Sequence, residues 1–200
     1  MKNRILSSII SVVLLVLVVS PSHAGVRSWE IDKDHANFYF SVEHIYAKVQ
    51  GRFTDYKGAF LFDPDNLNES KISFEIKVNS VDTGISKRDK HLPSNDFLDA
   101  AKYPLITFIS SSITKTGENI YNVKGKLTIK DVTSDLTIPL EYFGKKEHPL
   151  LKGMEVAGFN GRVILDRLNY HVGDDTYYKM GVVGKDVDVL ITLELLRKKE

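Results

Sequence analysis

The chain reads as an all-β protein: an extended antiparallel barrel of about eight strands, closed or nearly closed, with one short helical insert. Three observations predict this. Apolar and polar residues alternate with period two through most of the chain, and short tracts of turn residues separate the alternating segments. The inward set is also unusually large, with Phe38, Phe40, Phe60, Phe62, Phe74, Phe108 and Phe159 all on apolar faces. A two-sheet sandwich satisfies the alternation as well, but an eight-stranded barrel has an interior that large side chains fill or that holds one slender ligand.

The elements follow in order. Lys2 and Arg4 precede an apolar stretch over residues 5–19, and Ser22-His23-Ala24 has the small-x-small form that signal peptidase cuts. Residues 1–24 are therefore expected to be a cleaved secretory signal, leaving one domain over residues 25–200 that is periplasmic in a Gram-negative cell. The apolar run, about 15 residues, falls short of the ~20 that span a bilayer. In residues 37–44, Phe38, Phe40 and Val42 share one face against Asn37, Ser41 and Glu43. Phe60 and Phe62 continue the pattern until Asp63-Pro64-Asp65-Asn66 turns the chain. Ile72, Phe74, Ile76 and Val78 then alternate with Ser73, Glu75, Lys77 and Asn79.

The interval 83–108 breaks the alternation. Within it, Ser94 followed by acids and alanines predicts an N-capped helix that Tyr103-Pro104 ends, because a residue before proline leaves the α region. Strands resume at Ile106 and Phe108, turn at residues 116–119, and run on through Tyr121, Val123, Gly125, Leu127 and Ile129. After a turn at residues 131–134 come Leu136, Ile138, Leu140 and Tyr142, then residues 159–165. The last strand carries Val187, Val189, Ile191, Leu193 and Leu195 on one face.

Composition narrows the function classes. The 27 basic and 26 acidic residues give a net charge of +1, without the clustered surplus that phosphate backbones require. Basic residues gather in two short tracts, Lys145-Lys146 and Arg197-Lys198-Lys199. With no cysteine, the chain has no disulfide, thiolate nucleophile or cysteine metal site. His35, His44, His91 and His171 match no recognised ligand spacing, so no metal or cofactor is expected.

Several ordered motifs carry a resemblance: Trp29-x-Ile31-Asp32-x-x-His35, Phe40-Ser41-Val42-x-His44, Gly51-x-Phe53, Thr83-Gly84-x-x-x-Arg88-Asp89-x-His91-Leu92, Tyr103-Pro104-x-Ile106-x-Phe108 and Gly125-x-Leu127-Thr128-Ile129. Together they resemble the YceI-like, polyisoprenoid-binding family over essentially the whole chain after residue 24. The resemblance implies a lipocalin-like barrel whose apolar lumen holds a long isoprenoid, of the polyprenyl quinone or polyprenyl phosphate type, without catalysis. Residues 163–170 depart from the pattern, with Asn169-Tyr170 where Phe-Gly is expected after Arg167-Leu168.

The candidate lumen set is Phe38, Phe40, Val42, Phe60, Phe62, Phe74, Ile76, Phe97, Phe108, Val123, Leu127 and Phe159. Rigid aromatic walls suit a prenyl chain because they lose little rotamer entropy on contact, although the same residues also fill ordinary cores. His44, Arg88, Asp89 and His91 form the polar candidates, as a latch for the 83–108 loop or a headgroup contact; a third reading makes Arg88, Asp89 and His91 a general-base cluster of a periplasmic enzyme. No serine, cysteine or second carboxylate is placed to complete that cluster. Expected partners are an isoprenoid lipid, a membrane touched transiently and a second copy of the chain, with no nucleic acid.

Overall fold

The computed structural model describes residues 25–199; the expected signal segment lies outside them. Eleven strands appear in chain order: β1 (Ser28–Ile31), β2 (Asn37–His44), β3 (Ala47–Phe53), β4 (Tyr56–Leu61), β5 (Lys71–Lys77), β6 (Val81–Asp82), β7 (Leu105–Lys115), β8 (Ile120–Ile129), β9 (Val132–Glu147), β10 (Met154–Asp166) and β11 (Val183–Lys198). Two short helices, α1 (Ser86–His91) and α2 (Thr176–Lys179), join them. All pairings are antiparallel. The order β1-β4-β5-β7-β8-β9-β10-β11 closes on itself through β1–β11, giving the expected eight-stranded barrel.

The three remaining strands extend the same staves. β1 and β2 both pair with β11, Ile31 opposite Leu195 and Asn37 opposite Thr192, so they are one strand interrupted by the turn at residues 32–36. β3 pairs with β2 and with β6, while β4 pairs with β1 and β5. The breaks lie side by side and are stitched across. The Tyr56 hydroxyl donates to the Ala36 carbonyl, Thr54 N–H to Ser80 O at 3.0 Å, and Lys77 N–H to Asp55 O at 2.9 Å. A 3-10 turn at Val78–Ser80 makes the third break. The wall is thus interrupted along one line, the bend line, and β2, β3 and β6 carry it on beyond as a flap whose last strand, β6, is paired on one side only.

Below that line the interior is solid. Phe62 sits edge-on to Tyr121, Tyr142 and Phe159 with ring centroids 5.0–5.2 Å away. Trp29 closes the floor, its indole N–H donating to Phe62 O at 3.1 Å and Arg197 lying 4.0 Å over its ring. Aromatic rings pack so closely in part because glycines stand opposite them. A Cβ on Gly125 would lie 2.6 Å from the Phe108 ring, and one on Gly51 would lie 2.5 Å from the Phe40 ring.

The insert departs from expectation. Its helix is α1 at Ser86–His91, whereas residues 94–102 form successive turns. Asp99 takes a left-handed backbone (φ 48°), which stops a helix from running through it. The Ser94 carbonyl accepts the Phe97 and Asp99 N–H groups instead. No helix among the described residues is long and apolar enough to cross a membrane.

Candidate functional site

Above the bend line the inward side chains do not meet, leaving an apolar cavity of about 190 Å³. Phe38 and Phe74 form its floor, packed at 5.1 Å, with Phe108 stacked behind Phe74. Its walls are β2 (Phe40, Val42), β8 (Leu127, Ile129), β9 (Leu136, Ile138), β10 (Val163, Leu165) and β11 (Val187, Val189). The insert supplies the roof with Leu92, Phe97 and Leu98, and the segment after β10 adds Tyr170 and Val172.

Of the candidate lumen residues, Phe38, Phe40, Val42, Phe74, Ile76, Phe97 and Leu127 line this cavity. Phe60, Phe62, Phe108, Val123 and Phe159 also point inward and are fully buried, but they belong to the packed core and do not line the cavity. Period two tells which face a residue occupies; it carries no information on height along the barrel.

Arg167 is the one charged residue on the cavity lining, and it is only 6% exposed. Its guanidinium donates to four backbone carbonyls: Nε to Gly184 (2.9 Å), Nη1 to Val172 (2.7 Å) and Asp174 (3.3 Å), and Nη2 to Val183 (3.5 Å). Burial pushes its pKa below the ordinary arginine value. These bonds satisfy donors but leave the positive charge without a carboxylate in contact among the described residues, a costly arrangement in an apolar setting. Arg167 is not among the residues expected at the site; its one mark in the sequence is a basic residue two positions beyond the apolar run 163–165.

The polar candidates separate. Asp89 Oδ1 accepts from Thr83 N–H (2.8 Å) and Thr83 Oγ1 (2.5 Å), while Arg88 donates to Thr83 Oγ1 (2.7 Å) and Thr83 O (3.0 Å). Both therefore tie α1 back to the start of the insert. His91 turns to Asp96 at 2.9 Å and sits edge-on to Phe97. His44 is exposed at the β2–β3 tip. None of the four lines the cavity. Arg88 and Asp89 are spent on Thr83 and His91 on Asp96, so the geometry does not bring the three together on one reacting atom.

Outside the wall, β2, β3 and β11 form an open groove of about 610 Å³, which shares Tyr39 and Phe40 with the inner cavity. Asp32, His35 and Glu194 each place one ligand-type atom within 4.8 Å of the others. There the exposed His35 is paired with Asp32 at 2.8 Å, which raises the histidine pKa.

The same architecture recurs in known proteins. The family model described as YceI-like domain matches residues 29–195. Protein YceI of Escherichia coli O157:H7 is 33% identical over 195 residues, covering 96% of this chain and 98% of its own. Protein YceI of Salmonella arizonae is 32% identical over 189 residues, covering 93% and 95%. Among solved structures, Burkholderia cenocepacia BcnA superposes with a TM-score of 0.73 at 25% identity, covering 84% of this chain and all of its own. A Saccharophagus degradans domain described as polyisoprenoid binding gives 0.63 at 14% identity, covering 86% and 98%, and so speaks to the fold alone. Domain match, curated relatives and barrel agree, and the chain belongs to the YceI-like family.

Proposed function

We propose that the protein is a non-catalytic carrier that holds the prenyl tail of an isoprenoid lipid in the upper cavity, for transport or storage in the periplasm. The observation that carries this is a cavity walled by aliphatic and aromatic side chains inside a barrel whose other half is solid. Each buried CH₂ stabilises the complex by about 0.8 kcal/mol, so a prenyl chain binds without hydrogen bonds along its length. The description of the Saccharophagus domain, together with the family membership, motivates the isoprenoid class.

The cavity is smaller than the ~300–1,000 Å³ of drug-sized ligand pockets, so a long tail enters by displacing wall residues. The flap, whose strand β6 is paired on one side only, and the half-buried Phe40, Val42, Val187 and Val189 are the parts with room to move. Arg167 at the top suits a headgroup bearing a carbonyl or phosphate oxygen. Loading implies a passing contact with a membrane, and a homodimer would form through the upper edge of β3, where β6 pairs with Arg52 and Phe53 and leaves residues 47–51 beyond it.

Protein purified from cells without detergent is expected to release an isoprenoid on extraction, detected by mass spectrometry, and the stripped protein to take up a polyprenyl quinone or prenyl phosphate. Finding neither overturns the carrier reading. Amino-terminal sequencing of periplasmic extract is expected to start at Gly25, and sizing chromatography reads the dimer.

A further inference from the structure

The closed end of the barrel carries a feature that lipid holding leaves unused. There β9 and β10 run on as a hairpin, β9 to Glu147 and β10 from Met154, with β11 alongside to Lys198. Two basic tracts far apart in sequence meet on this hairpin: Lys146 stands opposite Val156, Val156 opposite Leu196, and Met154 opposite Lys198. Of the acids nearby, Glu155 is engaged by Arg197 at 2.7 Å and Glu147 by Lys199, while Glu30 stands on β1 opposite Leu196. Lys145, Lys146, Lys152 and Lys198 have no carboxylate partner among the described residues. In a chain of net charge +1 this surplus is local.

The hairpin tip is a built turn. His148 Nδ1 accepts the N–H groups of both Leu150 (3.1 Å) and Leu151 (2.9 Å), and His148 N–H donates to Met154 O at 2.8 Å. The turn holds two aliphatic side chains in water, Leu150 86% and Leu151 46% exposed, inside the set of lysines.

We propose that this hairpin docks the protein on an anionic lipid bilayer. Leu150 and Leu151 enter the boundary between headgroups and acyl chains, and the four lysines lie over the lipid phosphates. The chemistry favours a bilayer over an acidic protein. The apolar residues at the tip are aliphatic and the cations without a carboxylate are lysine point charges, whereas arginine and aromatic anchors dominate protein interfaces. Arg27 and Arg197 nearby are tied to Lys198 O and to Glu155, and the exposed Phe143 lies back along β9, away from the tip. The inference goes beyond the carrier reading and is independent of it, because the cavity lies at the other end and faces away from the docked surface.

Co-sedimentation with vesicles tests it, using equal parts phosphatidylglycerol and phosphatidylcholine against phosphatidylcholine alone. Binding is expected on the mixed vesicles only, weakening as salt rises through about 0.15 M, where the Debye length is about 8 Å. The double variant Lys145→Gln, Lys146→Gln should bind about 25-fold more weakly, at about fivefold per lysine near the surface. Leu150→Ser with Leu151→Ser should lose about tenfold or more. Leu150→Trp keeps the tip apolar, and its emission should shift to the blue on mixed vesicles alone. Failure of the intact protein to bind mixed vesicles, unchanged binding by the lysine variant, or an unshifted tryptophan overturns the proposal. So does binding that soluble polyglutamate competes away and that ignores the leucine substitutions, which would assign the hairpin to an acidic protein. None of these readouts depends on whether the cavity holds a lipid.

Discussion

The lower and upper halves of the barrel share strands, hydrogen-bond pattern and residue types, yet one is solid and the other hollow. Below the bend line, Phe62 touches three aromatic rings and the barrel keeps its eight strands in register. Above it, β6 has no second strand neighbour, and the same kinds of side chain, Phe40 and Phe97 among them, line open space. The two halves meet at three aligned interruptions of the backbone. Side-chain size alone does not decide whether a barrel is filled; the continuity of its wall enters as well.

Truncation should separate the halves most strongly. Phe62→Ala is expected to destabilise by about 3–5 kcal/mol in urea unfolding, whereas Phe40→Ala, already half-exposed, should cost roughly half as much. Equal losses would break the distinction. Filling is next: Leu136→Trp should lower prenyl-lipid uptake at least tenfold, about 1.4 kcal/mol, while costing little stability because space for the ring exists. A smaller effect belongs to the roof. Asp89→Asn weakens the tie to Thr83 by about 1 kcal/mol, so amide exchange over residues 83–104 should quicken while exchange in β8 and β9 stays the same.

The smallest effect concerns pH at the closed end. Arg197 donates to Glu155 and holds its carboxyl below the ordinary 4.5. A lowered folded pKa contributes stability that is present above the unfolded value and lost as pH falls through the folded one. Glu155→Gln should therefore lower stability slightly at pH 7, and its difference from wild type should close as pH falls below about 4.5, as read by thermal melts across pH.

Much of this organisation was legible from residue order. Alternation placed Phe38, Phe74, Val123 and Leu127 on inner faces because a pleated strand sends successive side chains to opposite sides. It could not tell Phe38, on the cavity floor, from Phe159, in the solid core, since height along the barrel depends on register and on where neighbouring strands break. The insert helix was expected at Ser94 and stands at Ser86–His91, because capping chemistry at Ser94 was spent on turns once Asp99 went left-handed. Arg167 was hidden for another reason: its partners are backbone carbonyls, which no residue pattern reveals.

The closure between β1 and β11 also bears on the order in which the barrel assembles. β11 alone joins β10 to β1 and β2, so the pairing that shuts the barrel links Ile31 to Leu195, far apart in the chain. Contacts of such sequence separation carry the full cost of closing a long loop and tend to form late. Substitutions along this seam should therefore speed unfolding more than they slow folding.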